Sequence, residues 1–312
     1  MGVVFGGPLF PPAPPVVWAG LAMKWIGWDG SEWMLSDESD GTVMLPGVRG
    51  MNMPPVIHHR AAHASVPGAR WRGSTVDVRE AFWPIQIYTN NGSQDWIEKD
   101  RAFWKTMDPT KVGTWVVIQP DGSERRLKLR FIDDGQQSFE HDAARDGWSN
   151  YGITLAAEQP FWEGEEVSGS WETGSSAPFF GSAGGPAFTI SPGNTLQTAE
   201  IVNPGDVPAY MIWRVYGPIT AATVGINGRN ITLPFTINAG QVVEIDTRPS
   251  AQVALKGQAD DYGSALDYDW TDKLGTIDFA PLPPGEKSTL TLSMTGTGRI
   301  TATFVPLYYR AW

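Results

Sequence analysis

The sequence predicts a mainly β protein built as two successive β domains, and three observations carry that prediction. Short runs rich in β-branched and aromatic residues recur along the chain, bounded by Gly, Pro, Asn and Asp. Asp29-Gly30, Asp121-Gly122 and Asn227-Gly228 fall between such runs, where hairpin turns call for positive φ. A single stretch, Gln94 to Met107, has helical periodicity. At 312 residues the chain has room for two domains of roughly 150 residues each. Glu163 to Gly193 is rich in Gly and Ser and reads as a connector. The predicted organisation is therefore a Pro-rich extended arm over residues 1–20, a β-barrel or sandwich-like domain over 21–174, and a β-sandwich over 175–312.

In chain order, Gly6 to Pro15 reads as a polyproline-like arm, either unstructured or laid on a neighbouring subunit. Met23 to Trp28 and Glu32 to Leu35 form a hairpin about Asp29-Gly30. Val43 to Leu45 is a short strand. Ser74 to Glu80 alternates as a half-buried strand, with Val76 and Val78 on one face and Thr75, Asp77 and Arg79 on the other. Phe82 to Tyr88 follows, and Pro84 marks it as an edge strand or one that starts late. Asn90 to Ser93 caps the helix 94–107, whose apolar face is Trp96, Ile97, Phe103, Trp104 and Met107. Trp115 to Ile118 and Arg125 to Ile132 flank the Asp121-Gly122 turn. In the return strand Leu127, Leu129 and Phe131 alternate with the basic residues Arg126, Lys128 and Arg130. Gly152 to Leu155 completes the first domain's strands. The second domain opens with the turn Asn203-Pro204-Gly205-Asp206 and continues in short strands: 211–216, 224–226, 242–246, 252–255, 276–279, 288–295 and 299–306.

Composition excludes several chemistries. The chain has no cysteine, so it has no disulfide, thiolate zinc site or thiol nucleophile. A net charge of −11 lacks the basic surface of a nucleic-acid binder, but suits solubility or the lining of a channel that DNA passes without sticking. No apolar run reaches the ~18 residues of a membrane helix, and the proline-broken start is a poor signal peptide. Fifteen tryptophans fit a large β core, with interfaces as their second use.

His58, His59 and His63 could offer zinc three imidazoles. Their flanking prolines and the lack of a carboxylate at helical spacing favour a solvated loop instead. Acidic clusters at 37–40, 133–134, 163–166 and 260–269 match no calcium loop and read as solvated loops. No nucleophile elbow or phosphate loop is present. The sequence thus nominates no catalytic, metal or cofactor residue. Trp and Tyr in a sandwich could stack sugars, so a carbohydrate-binding protein is the alternative from another class.

Four motifs occur in a telling order. They are Pro160-Phe161-Trp162 running into Gly164-Glu165-Glu166, the turn Asn203 to Tyr210, the Gly240 to Asp246 strand ending Ile-Asp, and the Leu282 to Gly285 turn before a closing hairpin. In this order they resemble the distal tail protein family of long-tailed siphophages, most of all the minor tail proteins of actinobacterial phages, from about Leu21 to Trp312. The resemblance implies a galectin-like second domain, no catalytic residues, and a typically hexameric ring at the distal end of the tail. The expected partners are the tail tube protein, the hub and the tape measure protein, with the outer domain available to the host surface. A hub or tube subunit is the nearest alternative. The resemblance also implies a place in the virion, reached by assembly in the host cytoplasm. Residues 175–312 contain no histidine and lack the Trp-Glu-Arg spacing of galactoside-binding galectins. On the sequence, Arg126, Lys128 and Arg130 are candidates to meet a neighbouring subunit's acidic loop.

Overall fold

The structure is a computed structural model that describes residues 20–37, 39–135, 141–172, 199–260 and 263–312. The Pro-rich arm, the Phe188-Thr189-Ile190 run and the domain boundary near residue 175 lie outside the described residues. The first body contains β1 (Ala22–Ile26), β2 (Glu32–Met34), β3 (Thr42–Met44), β4 (Val56–His63), β5 (Val66–Val76), β6 (Arg79–Tyr88), α1 (Ser93–Lys105), β7 (Gly113–Ile118), β8 (Glu124–Asp133), the single turn α2 (Ala143–Asp146), β9 (Trp148–Ala157) and β10 (Trp162–Glu163). The second contains β11 (Val167–Glu172), β12 (Ala199–Val202), β13 (Ile212–Tyr216), β14 (Ile219–Ile226), β15 (Arg229–Leu233), β16 (Gln241–Asp246), β17 (Val253–Asp260), β18 (Gly263–Asp269), β19 (Lys287–Gly296), β20 (Arg299–Phe304) and β21 (Leu307–Tyr308). The mainly β class follows as expected.

In the first body the strands run β2-β1-β7-β8-β9-β6-β3, all antiparallel. Leu35 nearly closes this sheet on itself. Its N–H donates to Met23 O at 2.8 Å, and its carbonyl accepts from Met44 N at 2.7 Å. Closure removes exposed edges and wraps the inward side chains around one core. Four indoles fill it. Trp83 stands edge to face against Trp25 and Trp115, at 5.2 Å from each, and Trp162 lies 5.0 Å beyond Trp115. At the mouth of β7, a Cβ on Gly113 would meet the Trp25 ring at 2.2 Å, so only glycine lets that ring lie flat on the strand. The helix packs Trp96 and Phe103 inward, as its periodicity predicts, and Met107, two residues past its end, is buried as well. Its N-cap is Gly92, with φ 105 and no capping side chain, inside the expected cap of Asn90 to Ser93.

Asp100 on this helix is half-buried and accepts a 2.5 Å hydrogen bond from Tyr151 Oη. Burial raises the Asp100 carboxyl, and burial together with Asp100 raises the Tyr151 phenol. A carboxyl raised in the folded state binds more protons folded than unfolded, so its contribution to stability falls as pH rises through the window above the ordinary carboxylate range. Asp100→Asn, which keeps the bond but cannot ionise, is expected to melt at or above wild type at neutral pH. The difference shrinks towards zero as pH falls below the unfolded carboxylate range. Thermal melts of both chains across pH check this.

The second body is a sandwich of two sheets, β11-β20-β13-β16-β17-β18 and β12-β19-β14-β15. Trp213, Ile245, Leu292 and Phe304 are among the buried residues between them. Asn227-Gly228 makes the predicted tight turn, with φ 52 and φ 81 between paired Ile226 and Arg229. Two expectations are corrected here. Thr276 to Phe279 is irregular, not a strand, and Gly263–Asp269, read as part of an acidic loop, is the edge strand β18. Its alternation is diluted by Gly and Asp, and pairing with β17 supplies what its own sequence does not.

The two bodies are laced together rather than strung in series. β11 pairs with β20 of the sandwich, whereas β21, near the C-terminus, pairs with β10 of the first sheet. Ala311 is fully buried in the first core. The Asn203 turn sits at this crossing. Buried Asn203 donates from Nδ2 to Val207 O (2.9 Å) and Leu282 O (3.1 Å), and its Oδ1 accepts from Gly205 N (2.9 Å). Asp206 N donates to Leu307 O at 2.8 Å, and Tyr309 N donates to Asp206 Oδ2 at 2.9 Å. Two motifs of the sequence, the 203–210 and 282–285 turns, therefore touch. Asn203→Ala leaves one donor and two carbonyls without this partner and is expected to cost about 2–3 kcal/mol, measured by urea unfolding.

Candidate assembly surface

Residues Val56 to Val76 form a two-stranded ribbon, β4 with β5, that pairs with no other described strand. This corrects the reading of the histidines as a loop. The ribbon leaves the body where Asp77 N donates to Pro55 O at 3.0 Å. It carries Arg60, Arg70 and Arg72, and the sequence has no Asp or Glu between Asp40 and Asp77. Among the described residues these arginines form no ion pair.

Register sorts the ribbon's side chains into two faces, because antiparallel partners share a face. Arg60 is opposite Trp71 and His58 opposite Ser74; Trp71 Nε1 reaches His58 Nδ1 at 3.3 Å. Ile57 is opposite Thr75 on the other face, where His59 Nε2 lies 2.6 Å from Thr75 Oγ1. Consecutive His58 and His59 thus point to opposite faces. Among the described residues no three His, Asp or Glu side chains converge as metal ligands. Trp71 is 60% exposed and Ile57 49%. The ribbon is thus basic, carries an exposed indole, and pairs with no other described strand on a chain of net charge −11.

At the ribbon's foot lies a depression of about 380 Å³ bordered by Asn52, Met53, Asp77, Val78 and Glu80. Met53 is 56% exposed and Val78 45%. Neither carboxylate forms an ion pair among the described residues. The floor is Arg79, 1% exposed, whose guanidinium donates to four backbone carbonyls: Pro160 O at 2.6 Å, Gly50 O at 2.6 Å, Tyr309 O at 2.7 Å, and Asn52 O. Burial pushes Arg79 down to about 10, still protonated at neutral pH. The alternation read across 74–80 is therefore wrong in its faces. The chain breaks between β5 and β6 at Asp77-Val78, and the register flips, burying Arg79 and exposing Val78. Pro84 is corrected too. It lies inside β6, between β3 and β9, where its carbonyl accepts from Leu45 N at 2.7 Å and its missing N–H falls where the β3 ladder ends.

Arg126, Lys128 and Arg130 do project from one face of β8, but acids of the same chain hold them. Arg126 pairs with Glu124 (2.7 Å), Lys128 with Glu163 (3.0 Å) and Arg130 with Glu158 (2.7 Å). Arg125 stacks on Tyr308 at 3.6 Å. Lys128 and Arg130 thereby tie β8 to β10 and its approach, Arg125 ties it to β21, and Arg126 pairs within β8 itself. Sequence reasoning missed Arg60, Arg70, Trp71 and Arg72. The usable signal was a long acid-free stretch in a chain of net charge −11.

Solved structures share this fold along nearly the full chain. The crystal structure of SPP1 Dit (gp 19.1), described as a paradigm of the hub adsorption apparatus in Gram-positive infecting phages, aligns with a TM-score of 0.63 at 12% identity, covering 93% of this chain and 99% of that one. The phage P2 baseplate in its activated conformation, with calcium and with strontium, contains chains aligning with a TM-score of 0.54 at 10% identity, covering 91% of this chain and 98% of theirs. No protein-family model and no curated protein matches the sequence.

Proposed function

We propose that this chain is a structural protein of a phage tail tip, a distal-tail subunit that forms a ring between the tail tube and the hub or host-recognition proteins, and that it is not an enzyme. The observation that carries this reading is the likeness to SPP1 Dit, which covers 93% of this chain and 99% of that one. The order of the sequence motifs adds to it and favours the actinobacterial minor tail proteins among the relatives. In this reading six copies close a ring through head-to-tail contacts, with the sandwich outward. The tail tube, hub and tape measure proteins are its neighbours in the virion, and the ring assembles in the host cytoplasm. The acidic charge suits a lumen that releases DNA. The ion-paired residues 126–130 brace the subunit, and the ribbon makes the contacts.

Light scattering and negative-stain microscopy of the purified protein, alone and mixed with purified tail tubes, test this. The expected result is a six-fold ring with an open centre, or a cap at one end of the tube. A monomer that ignores tubes but retains glycans on an array overturns the proposal in favour of a carbohydrate-binding protein.

A further inference from the structure

We infer that the depression at the ribbon's foot is the receptor for the ribbon of a second copy of this chain, with Trp71 seated against Met53 and Val78 and with Arg60 and Arg72 facing Asp77 and Glu80. The inference rests on the ring reading and names the surfaces that make the ring. Each side carries what the other lacks. The ribbon offers arginines without carboxylates and an exposed indole. The depression offers two carboxylates that form no ion pair among the described residues, since the Arg79 guanidinium beneath them is taken up by backbone carbonyls, together with two exposed apolar side chains and about 380 Å³, room for one large side chain.

The two cannot meet within one chain. The depression lies at the root of the ribbon, and Trp71 is five residues up β5 from Val76, roughly 17 Å away along an extended strand. The contact must therefore be made by another copy. It is heterologous, ribbon to foot, and such a contact repeated by rotation closes a ring. The socket floor is firm, because Arg79 fixes the Gly50 and Asn52 carbonyls beneath it. Charged rims of opposite sign also give orientation and steer encounter.

The absence of cysteine allows a direct test on the full-length chain. One preparation carries Trp71→Cys and another Met53→Cys. Mixed and treated with a short bis-maleimide, they are expected to give a covalent dimer of the two variants, and neither is expected to do so alone. In parallel, Arg60→Glu with Arg72→Glu, and separately Asp77→Asn with Glu80→Lys, are each expected to weaken self-association about tenfold or more, and an equimolar mixture of the two double variants, in which each reversed ribbon can face a reversed foot, is expected to recover part of the loss. Unchanged melting temperatures show that these variants fold. Rings from the double variants as stable as wild type, or cross-links that map elsewhere, overturn the inference and leave the tail-tip reading standing. A wild-type chain that stays monomeric at every concentration also overturns it, and tube capping then decides the tail-tip reading separately.

Discussion

Arg79→Ala is expected to destabilise the protein by about 3–4 kcal/mol, a fall in melting temperature of roughly ten degrees. The side chain is 1% exposed and has no carboxylate partner. Its role is geometric. One planar guanidinium holds Gly50 and Asn52 before the ribbon, Pro160 before the crossing strand, and Tyr309 near the C-terminus. Removing it strands four carbonyls and opens a void among three segments distant in sequence. Arg79→Lys is expected to recover only part of the loss. An ammonium is a point charge with three donors, whereas the guanidinium presents five in a rigid fork. Arg79 stays charged well above neutral pH, so the penalty is the same across the neutral range, unlike that of Asp100. A melting temperature for Arg79→Ala within about two degrees of wild type would show that the clamp does not hold the crossing together.

Trp115→Ala is expected to cost about 4–5 kcal/mol, near the upper end for truncating a buried aromatic. Trp115 is fully buried between Trp83 and Trp162, so its removal breaks the indole row at its middle. It also loosens Trp162, which enters on the strand that pairs with β21. Trp115→Phe is a sharper test. The Nε1 atoms of Trp83, Trp115 and Trp162 are buried without a hydrogen-bond partner, whereas Trp25 Nε1 donates to Thr106 Oγ1 at 2.8 Å. Phenylalanine keeps an aromatic edge and deletes an unpaired donor, so it is expected to cost less than about 1.5 kcal/mol. Denaturant unfolding followed by fluorescence and by circular dichroism separates the two outcomes. Equal losses for Phe and Ala would mean that the row tolerates no change of shape.

Much of the candidate assembly surface was invisible in the sequence for a definite reason. The described side chains of Val56 to Val76 are exposed or half-exposed on both faces, so the stretch lacks the apolar-polar alternation by which half-buried strands announce themselves. Pro54, Pro55 and Pro67 made it resemble a loop. The basic residues of β8 were legible as a strand by their alternation, but their partners were less so: Glu124 lies two residues from Arg126, whereas Glu163 and Glu158, which pair with Lys128 and Arg130, are distant in sequence.

What the sequence determined by itself is what local physical chemistry determines. Alternation placed β8, β19 and β20, one amphipathic stretch placed α1, and Asn-Gly placed the β14–β15 turn. Each depends on residues within a few positions of one another. Only the tertiary structure decided the rest. It buried an arginine on the inward face of β6, enclosed a proline between two strands, left a basic ribbon unpartnered, and sent β11 and β21 across to the opposite bodies. These outcomes depend on which distant carbonyls, edges and charges the folded chain brings alongside, and no window of sequence contains both partners.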